Sequence, residues 1–218
     1  MASFVEPEVT LQKFRQELKN WLANSNHKKR GWVLLGVEES VPVVEVGFLA
    51  RLATNTGSTF LPAMVCAVHL SYDNYDLWPP SLTFIDPFTR QPAKPHVQAI
   101  MSTPEGPRNA LIDLHPITKR PFLCLPGVRE YHSHPQHTGD DWLLHRPLQE
   151  GSLINICERI WRFMVKNVLG FHMNFQGLPT WPLKAELSLG IAQGEVLDPG
   201  LLAALQGETS PEPKGGEV

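Results

Sequence analysis

The sequence predicts an α+β domain: an N-terminal helix, a four-stranded antiparallel meander, a long loop and a C-terminal helix. Three observations carry that expectation. An apolar stripe recurs at helical spacing near the start, β-branched-rich runs joined by short polar segments follow it, and a stronger helical stripe comes late in the chain. At 218 residues the chain is long enough for one well-buried core, so a single domain over 1–206 is expected, with a disordered tail at 207–218.

Leu11, Phe14, Leu18, Trp21 and Leu22 follow Thr10, a residue type that caps helix starts, and predict a helix from Thr10 to about Asn24. Trp32–Val37, Val41–Leu52 and Phe60–Leu70 read as strands. Glu38-Glu39-Ser40 and Asn55-Thr56-Gly57-Ser58 are the short connections that make them an antiparallel meander. Tyr75–Pro80 is a proline-stiffened crossing into a fourth short strand, Ser81–Ile85. From Thr89 to Pro121 prolines are frequent and periodicity is weak, which predicts a long ordered loop. Leu153, Ile156, Cys157, Ile160, Trp161, Met164, Val165 and Val168 then form one stripe, opened by Ser152 and closed by Gly170. A short helix at Gly200–Leu205 precedes the Gly-, Pro- and Glu-rich tail.

A net charge of −3 and a single short basic cluster, His27-Lys28-Lys29-Arg30 at a helix end, point away from nucleic acid. No apolar stretch reaches the roughly 18 residues that cross a bilayer, so no membrane span is expected. Cys66, Cys124 and Cys157 form no close pair, and the N-terminus lacks a basic-then-apolar signal segment. Reducing cytoplasm is the expected compartment.

Three local sequences sharpen the layout. Tyr75-Asp76-Leu77-Trp78-Pro79-Pro80-Ser81-Leu82-Thr83-Phe84 resembles the tyrosine-proline crossing of ubiquitin-conjugating enzymes into their fourth strand. Leu114-His115-Pro116-Ile117, then Phe122-Leu123-Cys124-Leu125, resembles that family's His-Pro-Asn tripeptide and active-site cysteine, one residue short in spacing. Trp142 and the helix from Ser152 resemble the tryptophan and helix that follow the cysteine, so the resemblance spans roughly residues 8 to 170. It implies a ubiquitin-conjugating-enzyme-like fold and acyl transfer through Cys124, with His115 beside it. Ile117 departs from the pattern: it stands where the family has an asparagine that supports the oxyanion.

A second departure is the insertion between Cys124 and Trp142. There Cys124, Glu130, His132 and His134 resemble the Cys-Glu-His-His signature of a predicted metal-binding family found in bacterial operons with ubiquitin-like proteins. That resemblance implies a ubiquitin-like modifier and a ubiquitin-activating-like enzyme as partners. Thiolate, imidazole and carboxylate are zinc ligand types, and in an extended segment His132 and His134 project from one face, so Zn²⁺ is the leading metal. His137 and His145 can replace either named histidine, since spacing does not fix which rings converge. The bland alternative is a polar surface loop with its histidines stacked on Tyr131. His69, His96 and His172 sit apart and read as ordinary strand or loop residues.

Cys124 therefore has two competing roles. As nucleophile it accepts an acyl group and needs exposure and a lowered pKa, which a nearby imidazolium can supply. As a metal ligand it belongs to a non-catalytic adaptor. Cys66 and Cys157 fall on predicted core faces.

Overall fold

A computed structural model describes residues 4–53, 60–95, 97–111, 114–176 and 184–191. Helix α1 (Pro7–Ala23) begins before Thr10. Pro7 occupies its first turn, where a missing N–H costs nothing, and Thr10 lies buried within the helix instead of capping it. Phe14, Leu18 and Trp21 form its inner stripe, while Leu22 remains half exposed. A single turn, α2 (Asn26–Lys29), leads into the sheet.

Strands β1 (Trp32–Glu38), β2 (Val43–Ala53), β3 (Phe60–Ser71) and β4 (Ser81–Ile85) make the expected antiparallel meander, with Val46 opposite Val68 and Val68 opposite Phe84. Alternation decides which face is covered: Val44, Val46 and Phe48 of β2, with Leu82 and Phe84 of β4, point into the core. Val33 and Leu49 face the other way, into a small satellite cluster with Leu35 and Met64.

The long loop expected over Thr89–Pro121 is overturned in part. Strands β5 (Val97–Thr103) and β6 (Gly106–Asn109) form an antiparallel hairpin inside it, with Gly106 at φ +114° in the turn. Beyond the hairpin come two single turns, α3 (Arg129–His132) and α4 (Trp142–His145), and then α5 (Leu153–Trp161). The helix expected to reach Gly170 widens into a π turn over Arg162–Lys166 and becomes β7 (Val168–Gln176). Met164 and Val165 stay buried in the wide turn, so the apolar stripe continues while its backbone changes state.

Strand β8 (Lys184–Ile191) pairs with β7, which in turn pairs with β5. At its other end β8 meets β2 through Leu52 and Ala53, so the meander belongs to one eight-stranded sheet. The expected short helix at Gly200–Leu205 and the tail 207–218 lie outside the described residues.

Both α1 and α5 pack on the inward face of the meander, where Phe14, Trp21, Trp32, Phe48, Tyr72, Leu153, Ile156 and Ile160 share one core. Each large side chain buried there contributes about 2–3 kcal/mol, set against the chain entropy that folding removes. The start of α5 is held from two sides. Ser152 caps it, and the Leu153 N–H donates to Glu17 of α1 at 3.1 Å. Burial holds the Glu17 carboxyl above its usual range, although the Leu153 and Tyr75 hydrogen bonds pull against that shift. No described helix is long and apolar enough to cross a membrane.

Candidate active site around Cys124

The segment from His115 to Glu150 lies across the end of the meander and is pinned to it by charge and ring contacts. Arg129 donates to both Asp73 oxygens at 3.2 Å and to the carbonyls of Asp73 and Pro79, with its guanidinium 5.3 Å above Trp78. Burial opposes the charge of Asp73, yet the Arg129 and Ser71 hydrogen bonds hold it below its usual pKa. Trp142, buried, donates to the Asp76 carbonyl.

His115 is wholly buried. Its Nδ1 accepts from the N–H groups of Ile117 and Thr118 at 3.2 and 3.1 Å, so the ring proton sits on Nε2, which donates to the Glu130 carbonyl at 2.8 Å. One neutral imidazole thus ties the 115–120 turn to α3. His115 acts on the shape of the loop from behind and faces no solvent.

Phe122, Leu123 and Leu125 are buried around it, and Cys124 alone in that run is exposed. Its Sγ lies 3.0 Å from His137 Nε2. Partial desolvation by the surrounding loop nevertheless pushes the thiol above its ordinary pKa, contrary to the lowering expected of the site. A thiolate there depends on transferring its proton to a partner, and His137 is the base in contact.

The other expected residues diverge. Glu130 is turned inward: its two oxygens accept from Ser81 Oγ at 2.5 Å and the Leu82 N–H at 2.9 Å, and burial raises its pKa against those bonds. His132 donates from Nδ1 to the Asp140 carbonyl at 2.9 Å and accepts at Nε2 from the Gly127 N–H; burial and the neighbouring His145 lower its pKa. His134 stacks on Phe122 with centroids 5.5 Å apart and accepts at Nδ1 from the Gln136 N–H. Desolvation, His115 and His137 keep its pKa below the usual value.

As arranged, Cys124, Glu130, His132 and His134 share no centre, because Glu130 and His132 have committed their polar atoms elsewhere. Among the described residues no group of three or more His, Cys, Asp or Glu is placed to hold a metal ion. The thiol and His137 are what the loop brings together.

The Y4jH-like family, described as the Y4jH family, matches residues 5–110 and 107–168. The chain belongs to the Y4jH-like family. Over 180 residues it is 33% identical to the uncharacterized protein y4jH of Sinorhizobium fredii (strain NBRC 101917 / NGR234), an alignment covering 73% of this chain and 83% of that protein. The second Y4jH-like segment takes in the whole run from the His115 turn through Cys124 and His137 to α5.

The sequence names His137 only as a substitute metal ligand and Tyr131 only as a ring on which the loop histidines stack, and it gives no role to Asp140 or Arg159. A signal for His137 existed. His134-Pro135-Gln136-His137 is a 3₁₀ turn begun by proline, and residues three apart eclipse in that geometry, which sets His134 and His137 side by side with centroids 5.5 Å apart.

Proposed function

We propose that this Y4jH-like chain is a cysteine-dependent acyl-transfer protein of a bacterial ubiquitin-like modification system, with a ubiquitin-conjugating-enzyme-like fold. The observation that carries it is the exposed Cys124 thiol in contact with His137 Nε2, in a run whose other side chains are buried. The order of α1, four-stranded meander, proline crossing, His115 turn, Cys124 and α5 supports the fold part of the reading.

His137 takes the thiol proton as the sulfur attacks the carbonyl of a modifier held by an activating enzyme as a thioester. The new Cys124 thioester forms as the old one breaks, and the activating enzyme's sulfur leaves as a thiol with the proton that His137 gives up. A target amine then attacks the Cys124 thioester, the sulfur departs, and the proton shed by nitrogen passes to the medium or to His137. Ile117 offers no amide for the oxyanion, so backbone or imidazole N–H groups of the loop serve in its place. Free cysteines and the reducing cytoplasm suit such a thioester relay.

The alternative is a non-catalytic zinc adaptor of the same system, in which Cys124 is a ligand. For that, Glu130 has to leave Ser81 and Leu82, and His132 has to leave Gly127 or Asp140. Metal analysis of the purified protein tests it directly.

The deciding experiment incubates the full chain with a ubiquitin-activating-like enzyme, its modifier and ATP, followed by gels with and without reductant. A reductant-labile adduct that disappears in Cys124→Ser is expected. Stoichiometric zinc lost in Cys124→Ala, with no adduct, overturns the transfer reading in favour of the adaptor.

A further inference from the structure

His137 owes its place at Cys124 to a ring stack. It lies flat on Tyr131, centroids 3.9 Å apart and planes 20° apart, and among the described residues Cys124 is the hydrogen-bond partner of its ring. A half-buried imidazole whose ring hydrogen bond is to a soft sulfur takes its plane from packing, and the closest ring on it is Tyr131, with His134 at 5.5 Å beside it.

Tyr131 is itself fixed by a chain of alternating charges. Its hydroxyl donates to Asp140 Oδ2 at 2.6 Å, and the other Asp140 oxygen lies 2.6 Å from His145 Nε2. His145 Nδ1 is 2.5 Å from Glu150 Oε2, while Glu150 Oε1 accepts from Arg159 at 2.5 Å. Arg159 also donates to the carbonyl of Pro126, two residues beyond Cys124. The chain leaves the site through Tyr131 and returns to it through Pro126.

Ionised carboxylate oxygens only accept, so both His145 nitrogens must donate and the ring is an imidazolium. A neutral ring leaves one carboxylate facing a lone pair. The signs then alternate along the chain: Asp140 negative, His145 positive, Glu150 negative, Arg159 positive. Desolvation works against the His145 charge, but its two carboxylate partners overcome it and raise the pKa. Bonded to Asp140, the Tyr131 hydroxyl is pushed up to about 12 and stays a donor at neutral pH.

The inner wall of this ring admits no side chain at Gly127. That residue has φ +96°, and a Cβ there would collide with the Glu150 carbonyl oxygen. Glu150 and the Cys124 turn are therefore held in backbone contact.

We infer that Tyr131, anchored through Asp140, His145, Glu150 and Arg159, is the positioning residue that aims His137 at the Cys124 thiol, an inference that rests on the acyl-transfer reading of Cys124. It acts on the thiol through the plane of His137.

The test measures the rate of Cys124 alkylation by iodoacetamide against pH in the full chain, alongside thermal melting. Tyr131→Ala should slow alkylation about tenfold near neutral pH and leave the profile of an isolated thiol, the same profile as His137→Ala. Because Tyr131 acts through His137, the double variant should be no slower than either single one. Tyr131→Phe keeps the ring but loses its bond to Asp140, and Asp140→Ala removes the acceptor, so each should lose about threefold, less than Tyr131→Ala.

A native rate and profile in Tyr131→Ala, or a double variant slower by the product of the two effects, overturns the inference. If Tyr131→Ala does not fold, Asp140→Ala decides: a native alkylation rate there overturns it equally. Alkylation needs no modifier or activating enzyme. Coupled rates without a reductant-labile adduct would therefore sink acyl transfer and leave Tyr131 in its role, while an adduct with uncoupled rates would do the reverse.

Discussion

Two histidines flank Cys124 and the protein treats them in opposite ways. His115 is buried, with both ring nitrogens bonded to backbone of its own chain, whereas His137 is half-buried on a tyrosine face with a thiol at its edge. The first cannot change partners without breaking the fold; the second keeps a ring nitrogen at the thiol. Separating the two is how a rigid turn can present a reactive group, since an imidazole bonded to buried backbone at both nitrogens has none left for a neighbouring sulfur.

That contrast breaks most visibly at the buried histidine. His115→Ala leaves two N–H groups without their acceptor, removes one of the two donors to the Glu130 carbonyl and opens a cavity beside Phe122, so equilibrium denaturation should show a loss of about 3 kcal/mol. A loss under about 1 kcal/mol would mean the turn holds without its imidazole.

At the half-buried histidine the effect should be chemical. His137→Ala is expected to change stability by less than about 0.5 kcal/mol and to slow Cys124 alkylation about tenfold, read by mass spectrometry of the modified peptide. Cys66 and Cys157 should stay unlabelled in the folded protein, because both are buried and burial drives their thiols far above the ordinary range. Equal labelling of all three would remove the distinction on which Cys124 stands.

Asp73 sharpens the comparison from the scaffold side. Its folded pKa is depressed, so its contribution is complete above the unfolded carboxylate value of about 3.9 and is lost as pH falls through the lower folded value. Asp73→Asn should cost about 1 kcal/mol at neutral pH and remove that acid-side slope from denaturation curves. An unchanged slope would place the acid sensitivity in other carboxylates.

Much of this scaffold was legible in the sequence. The four strands of the meander fall within two residues of their expected bounds because each carries a strong apolar run between polar breaks. The hairpin at β5 and β6 was hidden by Pro92, Pro95, Pro104 and Pro107, which break up a short alternating run whose turn needs Gly106 at positive φ. Val168 fitted helix and strand periods alike, so the end of α5 could not be read from spacing. At the site, the exposed cysteine was legible but its partner was not. His132 and His134 were expected on one face of an extended segment, whereas Arg129–His132 is a helical turn that sends Glu130 inward and His132 toward Gly127.

Ile117, whose replacement should change stability as little as that of His137, asks most directly what the exposed side of the loop is for. Its side chain is 61% exposed on the turn that His115 holds, and the hydrogen bond to His115 comes from its backbone N–H. Ile117→Asn should therefore leave that bond intact and alter stability by less than about 0.5 kcal/mol. If the loop lacks an oxyanion donor, the new amide should speed discharge of a Cys124 thioester to free lysine severalfold, measured by single-turnover decay of the adduct. If His134 or loop N–H groups already fill that role, the discharge rate should not move. A variant that loses stability yet gains no rate would show that Ile117 is packed against something the exposed surface does not suggest, and the division between a closed His115 side and an open His137 side would have to be redrawn.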